Sequence, residues 1–226
     1  MSKFIVSYDG TYNEDDAIAL GRVFAEAGAE VALAYVRHAP EEETSREILA
    51  QHEAESLLDR GAELVGQGEV ERHVVTDRST PDGLRALAQR IAAEAIVFCS
   101  DSHTAQGHIA IGNSAQRLLE GGATAIAIAP AGFARGAGTN VRLLGVVGDG
   151  SARATAESLA GALGAEVVPA DGSGVDILVV GSRPEAEEGR VSLSAASENL
   201  IENATCPVLV VPQGRSLSFG GVALTV

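Results

Sequence analysis

The residues most able to do chemistry lie together near the middle of the chain. A short apolar run, residues 95–98, is followed there by ten small or polar residues, 99–108. A helical pattern begins after them at Gly112, Asn113 and Ser114. These three residues can hold a phosphate, because the amides at the start of a helix point outward and the helix dipole favours an anion. Asn113 and Ser114 can equally be ordinary helix caps.

A metal site is the other chemistry that this stretch suggests. His103 and His108 lie five residues apart in the polar segment, with Asp101 and Cys99 nearby. That histidine spacing matches no tight pair of metal ligands, and Cys99 continues an apolar strand. We therefore expect no metal there.

The elements around these residues follow a pattern that occurs twice. Residues 93–130 read as strand, polar loop, helix and strand, and residues 176–212 repeat that order about eighty positions later. A strand, a crossover helix and a second strand build a parallel sheet, and loops at the carboxyl ends of its strands are where such sheets bind ligands. An internal duplication is therefore expected.

The remaining sequence completes two unequal halves. The first half adds strands near residues 4–8 and 30–36 and an alternating edge strand at 70–75, with helices between them. A Gly/Ala-rich linker follows, and the second half restarts without counterparts of the long helix, the edge strand and the next helix. We predict a complete α/β domain over residues 1–133, a truncated repeat over 140–213 and a tail over 214–226. The tail alternates apolar residues and can add an edge strand.

Composition limits the partners of the chain. Its 226 residues carry a net charge of -15, which argues against nucleic acid and anionic membranes because both attract cationic proteins. Hydrophobic residues make up 46 % of the chain, but no apolar run approaches the ~20 residues that a membrane helix needs. The first residues lead directly into a strand, so no signal peptide is expected. Two cysteines in separate predicted cores suit a reducing cytoplasm.

Three features resemble the universal stress protein family in a tandem form. Each half opens with a strand that ends in an Asp-Gly-Thr or Asp-Gly-Ser turn, at Asp9 and Asp149. Each half has the strand, loop and helix described above, and each ends in an apolar strand, the second reading Cys-Pro-Val-Leu-Val-Val-Pro. The resemblance covers nearly the whole chain.

This resemblance implies two tandem parallel-sheet α/β repeats, Rossmann-like and similar to the adenine nucleotide alpha hydrolases, the second shortened. The expected strand order of the first half is 3-2-1-4-5, with one sheet in each half. The two closing strands are expected to pair across a pseudo-two-fold axis, so that one chain forms an intrachain pseudo-dimer like the family homodimer. A further homodimer of the whole chain is left open.

The nucleotide-binding members of the family carry Gly, two residues, Gly, nine residues, Gly, and then Ser or Thr. The spacing is kept here, but only one glycine in three remains in each half. The first-half positions are Cys99, Ser102, Gly112 and Asn113, and the second-half positions are Gly181, Pro184, Ser194 and Ala195. Proline also removes an amide from the loop.

The resemblance implies an adenine nucleotide site in the first half, holding ATP or AMP with Mg²⁺. Asp9 would bond the adenine or ribose and Val36 would pack on the base; the plainer alternatives are a turn-forming aspartate and an ordinary core valine. The full set of implied binding residues is Asp9, Gly10, Val36, Cys99, Ser100, Ser102, Gly112, Asn113 and Ser114.

Two functions therefore stay open. The first is an adenine nucleotide binder that uses the first-half loop. The second, favoured because both motifs have lost glycines and because of the negative charge, is a cytoplasmic stress-response protein that acts as a structural or regulatory module on protein partners. No Ser/His/Asp grouping, paired carboxylates or phosphate-loop lysine stand out, so we predict no enzyme, with slow ATP hydrolysis as a distant third possibility.

Overall fold

The structure is a computed structural model. It describes residues 2–11, 13–38, 44–66, 70–136, 140–170 and 174–220.

The first half alternates strands and helices. Its strands are β1 (Lys3–Ser7), β2 (Glu30–Arg37), β3 (Glu71–Thr76), β4 (Ala95–Cys99) and β5 (Ala125–Ala129). Its helices are α1 (Glu14–Glu26), α2 (Thr44–Val65), α3 (Thr80–Ile91) and α4 (Asn113–Leu119).

The second half is the shorter version that the sequence predicts. Its strands are β6 (Leu143–Val147), β7 (Glu166–Pro169), β8 (Ile177–Gly181) and β9 (Val208–Val211). Its helices are α5 (Gly150–Leu163) and α6 (Ala195–Glu202). Among the described residues of both halves, no helix has the length and apolar character that crossing a membrane requires.

All nine strands form one sheet in the order β3-β2-β1-β4-β5-β9-β8-β6-β7. The first-half order and the edge position of β3 are confirmed. The closing strands β5 and β9 pair antiparallel, with Ile126 opposite Val210 and Ile128 opposite Val208. The expectation of two sheets is corrected to a single continuous one. The reason is that this pairing satisfies the backbone groups that each half-sheet would otherwise expose at its edge.

The central strands are buried on both faces, which explains their continuous apolar runs. All five residues of β5 and all four of β9 are buried. One core layer packs under α1, α2 and α5, and the other packs under α3, α4 and α6. The two layers run across both halves, so the halves share their core.

The sheet brings several predicted site residues to one edge. Val6 of β1 lies level with Leu33 of β2 and Val97 of β4. Because the three strands are parallel, the residues three positions further along meet at the carboxyl edge. These residues are Asp9, Val36 and Ser100.

The described part of the C-terminal tail packs on the core and adds no strand to the sheet. Its described part, residues 214–220, contains no strand, and residues 221–226 lie outside the described chain. Leu217 and Phe219 are buried, and their amides donate to hydroxyl oxygens of α5 at 2.9 and 2.8 Å. The alternating pattern therefore buries every second residue in the core. The backbone amides of these residues bond to side chains of α5 and not to a neighbouring strand.

Phe219 completes an aromatic cluster in that core. Its ring centroid lies 5.7 Å from that of Phe4 and 6.1 Å from that of Phe24. The tail thus ties the second half to the first strand and first helix.

We expect Phe219→Ala to lower the free energy of unfolding by about 3 kcal/mol, because it removes a buried ring and leaves a cavity. Urea denaturation of the full chain measures this. The exposed Ser216→Ala is the control and should change stability by less than about 0.5 kcal/mol. Equal stability of the two variants would show that the tail is not docked.

Candidate functional site

The two polar loops that follow β4 and β8 have nearly unrelated sequences. They cover residues 100–112 and 182–194, thirteen positions each. Only two positions are identical, Ser100 with Ser182 and Gly107 with Gly189, and each pair is separated by 82 residues. The structure shows why these two positions are kept.

The shared serine is buried and ties its loop to the neighbouring strand. The Ser100 hydroxyl donates to the Ala129 carbonyl at 2.8 Å and accepts from the Ala110 amide at 3.4 Å. Ser182 makes the same two bonds, 29 and 10 residues along the chain, at 3.0 and 3.2 Å. Ser100, a predicted nucleotide-binding residue, therefore stabilises the fold of the first half, and Ser182 does the same in the second half.

The shared glycine closes the same loop from its other side. The Gly107 amide donates to the Ala131 carbonyl at 2.7 Å, and the Gly189 amide donates to the Gln213 carbonyl at 2.7 Å. Their φ angles are 78° and 75°. These angles lie in the left-handed region that favours glycine, so a side chain would strain the turn.

Three further backbone bonds recur in both loops. In the first half, the amides of Asp101, Thr104 and His108 donate to carbonyls of the same loop at 3.1, 3.0 and 3.1 Å. The three equivalent amides of the second half, 82 residues later, do the same at 2.8, 3.0 and 3.0 Å. These amides already have acceptors within the protein, so they do not form an open cradle for a phosphate.

The first-half loop is also fastened to the start of α1. The Asn13 side chain donates to the Asp101 carbonyl at 3.1 Å. Within the described chain the Asn13 side chain makes no capping bond to its own helix. Asp16 accepts from the amides of Gly132 and Ala134 at 2.8 and 2.7 Å, which holds the segment after β5 to the same helix.

Glu14 occupies the amides of the turn after β1. The residue is only 6 % exposed, and its carboxyl group accepts from the amides of Asp9 and Gly10, the latter at 2.8 Å. Burial, followed by the charge of Asp9 and a hydrogen bond to it, raises the pKa of Glu14 to about 9. The group is therefore neutral at pH 7. Sequence reasoning missed this role, because an acidic run at a helix start is typical of a solvated surface.

The aspartates of the two Asp-Gly turns both bond locally. The Asp9 carboxylate accepts from the Thr11 amide at 2.9 Å. Asp149 caps α5 and accepts from the amides of Ser151 and Ala152, both at 3.1 Å. Asp9 therefore has the geometry of a turn-forming aspartate, and Asp149 that of a helix cap.

Two cavities at this edge of the sheet divide the predicted site residues. A cavity of 690 Å³ between the start of α1, α2 and the first-half loop includes Gly10 and Ser102. A second of 640 Å³ between the starts of α3 and α4 includes Asn113 and Ser114. Neither lining includes the other predicted residues. These are Asp9, Val36, Cys99, Ser100 and Gly112.

Gly112 is the one motif glycine left in the first half. It begins α4 with a φ of -69°, which any residue can adopt, and a Cβ atom added there would meet no atom within 4 Å. Neither backbone strain nor crowding therefore requires glycine at this position.

The cysteines and acidic groups of the described residues form no metal centre. No group of three or more His, Cys, Asp or Glu residues in that part of the chain can hold an ion. Cys99 and Cys206 are free thiols, and burial raises their pKa values to about 12 and about 11. Both therefore stay protonated and weakly nucleophilic at neutral pH.

Comparison with known proteins assigns the family. The sequence model of the universal stress protein family matches residues 1–130 and 165–212. The chain belongs to the universal stress protein family. No curated protein sequence matches it.

Among the solved structures that resemble the chain over nearly its whole length are two universal stress proteins. A universal stress protein from Archaeoglobus fulgidus DSM 4304 has 16 % sequence identity and a TM-score of 0.67, covering 94 % of this chain and 98 % of its own. A putative universal stress protein from Pseudomonas aeruginosa UCBPP-PA14 has 13 % identity and a TM-score of 0.60, covering 93 % of each chain. At these identities the likeness concerns the fold.

We expect Ser100→Ala to lower the free energy of unfolding by about 1–2 kcal/mol, because it leaves the Ala110 amide without its acceptor. Ser182→Ala should cost a similar amount, since its bonds are equivalent. Urea denaturation measures both, with the exposed Ser102→Ala as the control. If Ser100→Ala is as stable as this control, the hydroxyl does not hold the loop.

We expect Glu14→Gln to flatten the pH dependence of stability. The unfolded carboxyl loses its proton near pH 4.5 and the folded one near pH 9, so wild-type stability falls as the pH rises between these values. Glutamine keeps a neutral oxygen acceptor and has no proton to lose. The difference in melting temperature, variant minus wild type, should therefore increase from pH 5 to pH 9.

The exposed Glu53→Gln is the matched control for this measurement, and its profile should parallel that of wild type. Parallel profiles for Glu14→Gln as well would contradict a raised pKa in the folded protein.

Proposed function

We propose that this universal stress protein is a non-enzymatic regulatory module of the cytoplasmic stress response, which acts through protein partners and holds no nucleotide in its first-half loop. The observation that carries the proposal is the common closed fold of the two loops. The second-half loop has a proline, Pro184, at a motif position, and the first-half loop follows the same path with the same internal bonds.

The surroundings of the loop support the same interpretation. The Glu14 carboxyl group takes the amides of Asp9 and Gly10, which lie at the edge where the family resemblance implies a nucleotide base. The net charge of -15 also opposes a polyphosphate unless a cation accompanies it. The two partly buried cysteines are free thiols, which supports a reducing compartment.

One observation favours adenine nucleotide binding as a second candidate function. The 640 Å³ cavity beside Asn113 and Ser114 is also lined by Arg78 and Arg117. Cationic side chains next to these two residues are what the phosphates of ATP or AMP, with or without Mg²⁺, would need. The first proposal predicts that this cavity does not bind them.

Thermal unfolding with millimolar ATP, ADP or AMP plus Mg²⁺ separates the two candidates. A ligand that binds only the folded state adds about 2.7 kcal/mol at a hundred times its dissociation constant. We expect no change in melting temperature with any of the three nucleotides, and no phosphate release from ATP above a buffer blank.

A rise in melting temperature that is lost in Arg117→Gln, which removes a guanidinium from the lining of this cavity, would establish the second candidate instead. Arg153→Gln is the matched control, because Arg153 is also an exposed helical arginine and lies outside the cavity. It should leave any nucleotide effect unchanged.

A further inference from the structure

We propose that a groove on the pseudo-two-fold axis between the two halves binds a basic segment of a partner protein that carries aliphatic side chains. This pseudo-two-fold groove is a cavity of 620 Å³. It is lined by residues of α4 and α6 and by the last residues of both polar loops. The inference rests on the proposed function, since it names the surface and the chemistry of the partner.

The groove is built from equivalent positions of the two halves. Ten of its twelve lining residues form five pairs whose members lie 82 residues apart, the same spacing as in the loops. Three of these pairs carry the argument. They are Ile109 with Val191, Ile111 with Leu193, and Glu120 with Glu202.

The floor of the groove is apolar and firmly held. Ile109 and Val191 are 5 % and 0 % exposed and fill the space beneath it, while Ile111 and Leu193 are half-buried and present apolar surface to a ligand. The Val191 amide donates to the Gly122 carbonyl at 2.8 Å, and its carbonyl accepts from Gly121 at 3.1 Å. This bridge between the halves fixes the two aliphatic side chains relative to each other.

The rim of the groove is acidic. Glu120, Glu198 and Glu202 line it and are exposed. The basic groups near them are Arg190, whose guanidinium donates to the Gly121 carbonyl at 3.2 Å, and Arg117, which lines the neighbouring 640 Å³ cavity together with Glu120. Three carboxylates against two guanidinium groups leave the rim negative at neutral pH.

The combination of floor and rim selects the occupant. Lysine or arginine beside aliphatic residues complements both features, because opposite charges attract across an interface and the aliphatic side chains bury apolar area. A second copy of this chain, docked groove to groove, would place its own three glutamates against these three. We therefore assign the groove to a basic partner segment and not to self-association.

The probe is a fluorescein-labelled peptide of about a dozen residues with lysines around a pair of leucines, and anisotropy measures its binding to the full chain. We expect saturable binding that weakens with added salt, because exposed charges are screened. The same peptide with glutamate in place of lysine should not bind.

The rim is tested with Glu120→Gln/Glu198→Gln/Glu202→Gln, which should bind the lysine peptide about tenfold more weakly. Glu53→Gln/Glu166→Gln/Glu185→Gln removes the same charge from exposed sites outside the groove and should bind like wild type. Equal affinity of the two triple variants would overturn the proposal, since the attraction would then come from net charge alone.

The floor is tested with Ile111→Ser/Leu193→Ser, which should also bind about tenfold more weakly. Both residues are half-exposed, and an unchanged far-ultraviolet spectrum will show that the variant is folded. Leu49→Ser/Leu64→Ser changes two exposed leucines elsewhere, 61 % and 47 % accessible, and should bind like wild type.

Sedimentation velocity tests whether a second copy of this chain occupies the groove instead. A wild-type dimer that dissociates in Ile111→Ser/Leu193→Ser would assign the groove to a second copy and overturn the proposal, as would the absence of saturable peptide binding. Either result leaves the nucleotide experiment untouched, so failure of the groove and failure of the proposed function can be told apart.

Discussion

A buried serine hydroxyl at the carboxyl end of one strand is the constraint on which each half of this protein depends. Ser100 and Ser182 must each find a donor and an acceptor inside the protein, because an unpaired buried polar group is costly. Both find them in the last strand of their half and in the far end of their own loop. Once these bonds and one left-handed glycine fix the path, the other loop residues are free to differ. That freedom explains how thirteen positions keep only two identities.

The same constraint separates the two faces of the loop. The amides of Asp101, Thr104, Gly107 and His108 turn inward to carbonyls of the protein, so these four amides do not face a ligand. Its last residues, by contrast, emerge beside the antiparallel pair β5 and β9 and reach the surface between the halves. Loop positions that differ from the glycine motif therefore still line a surface at the junction of the two halves, which is the surface that we propose for a partner segment.

The sequence predicts most of the fold because apolar runs and their repeat determine which strands are central and which lie at an edge. It does not predict the environment of Glu14, since an acidic run at a helix start looks the same whether its side chains face solvent or a neighbouring turn. It does not predict the docking of Leu217 and Phe219, because these residues would alternate in the same way on an edge strand or on a core. For the site, the motif spacing correctly locates the loop, but spacing carries no information on the direction in which amides point.

The fusion of two halves in one chain gives the pseudo-two-fold groove two unlike ends. Where the second half places Glu198, the first half places Gln116, so two carboxylates lie on one side of the axis and one lies on the other. A groove formed by two identical subunits would accept an extended segment equally well in either direction. Here the two directions differ in charge, so a basic segment bound as we propose would meet more carboxylates at one of its ends than at the other.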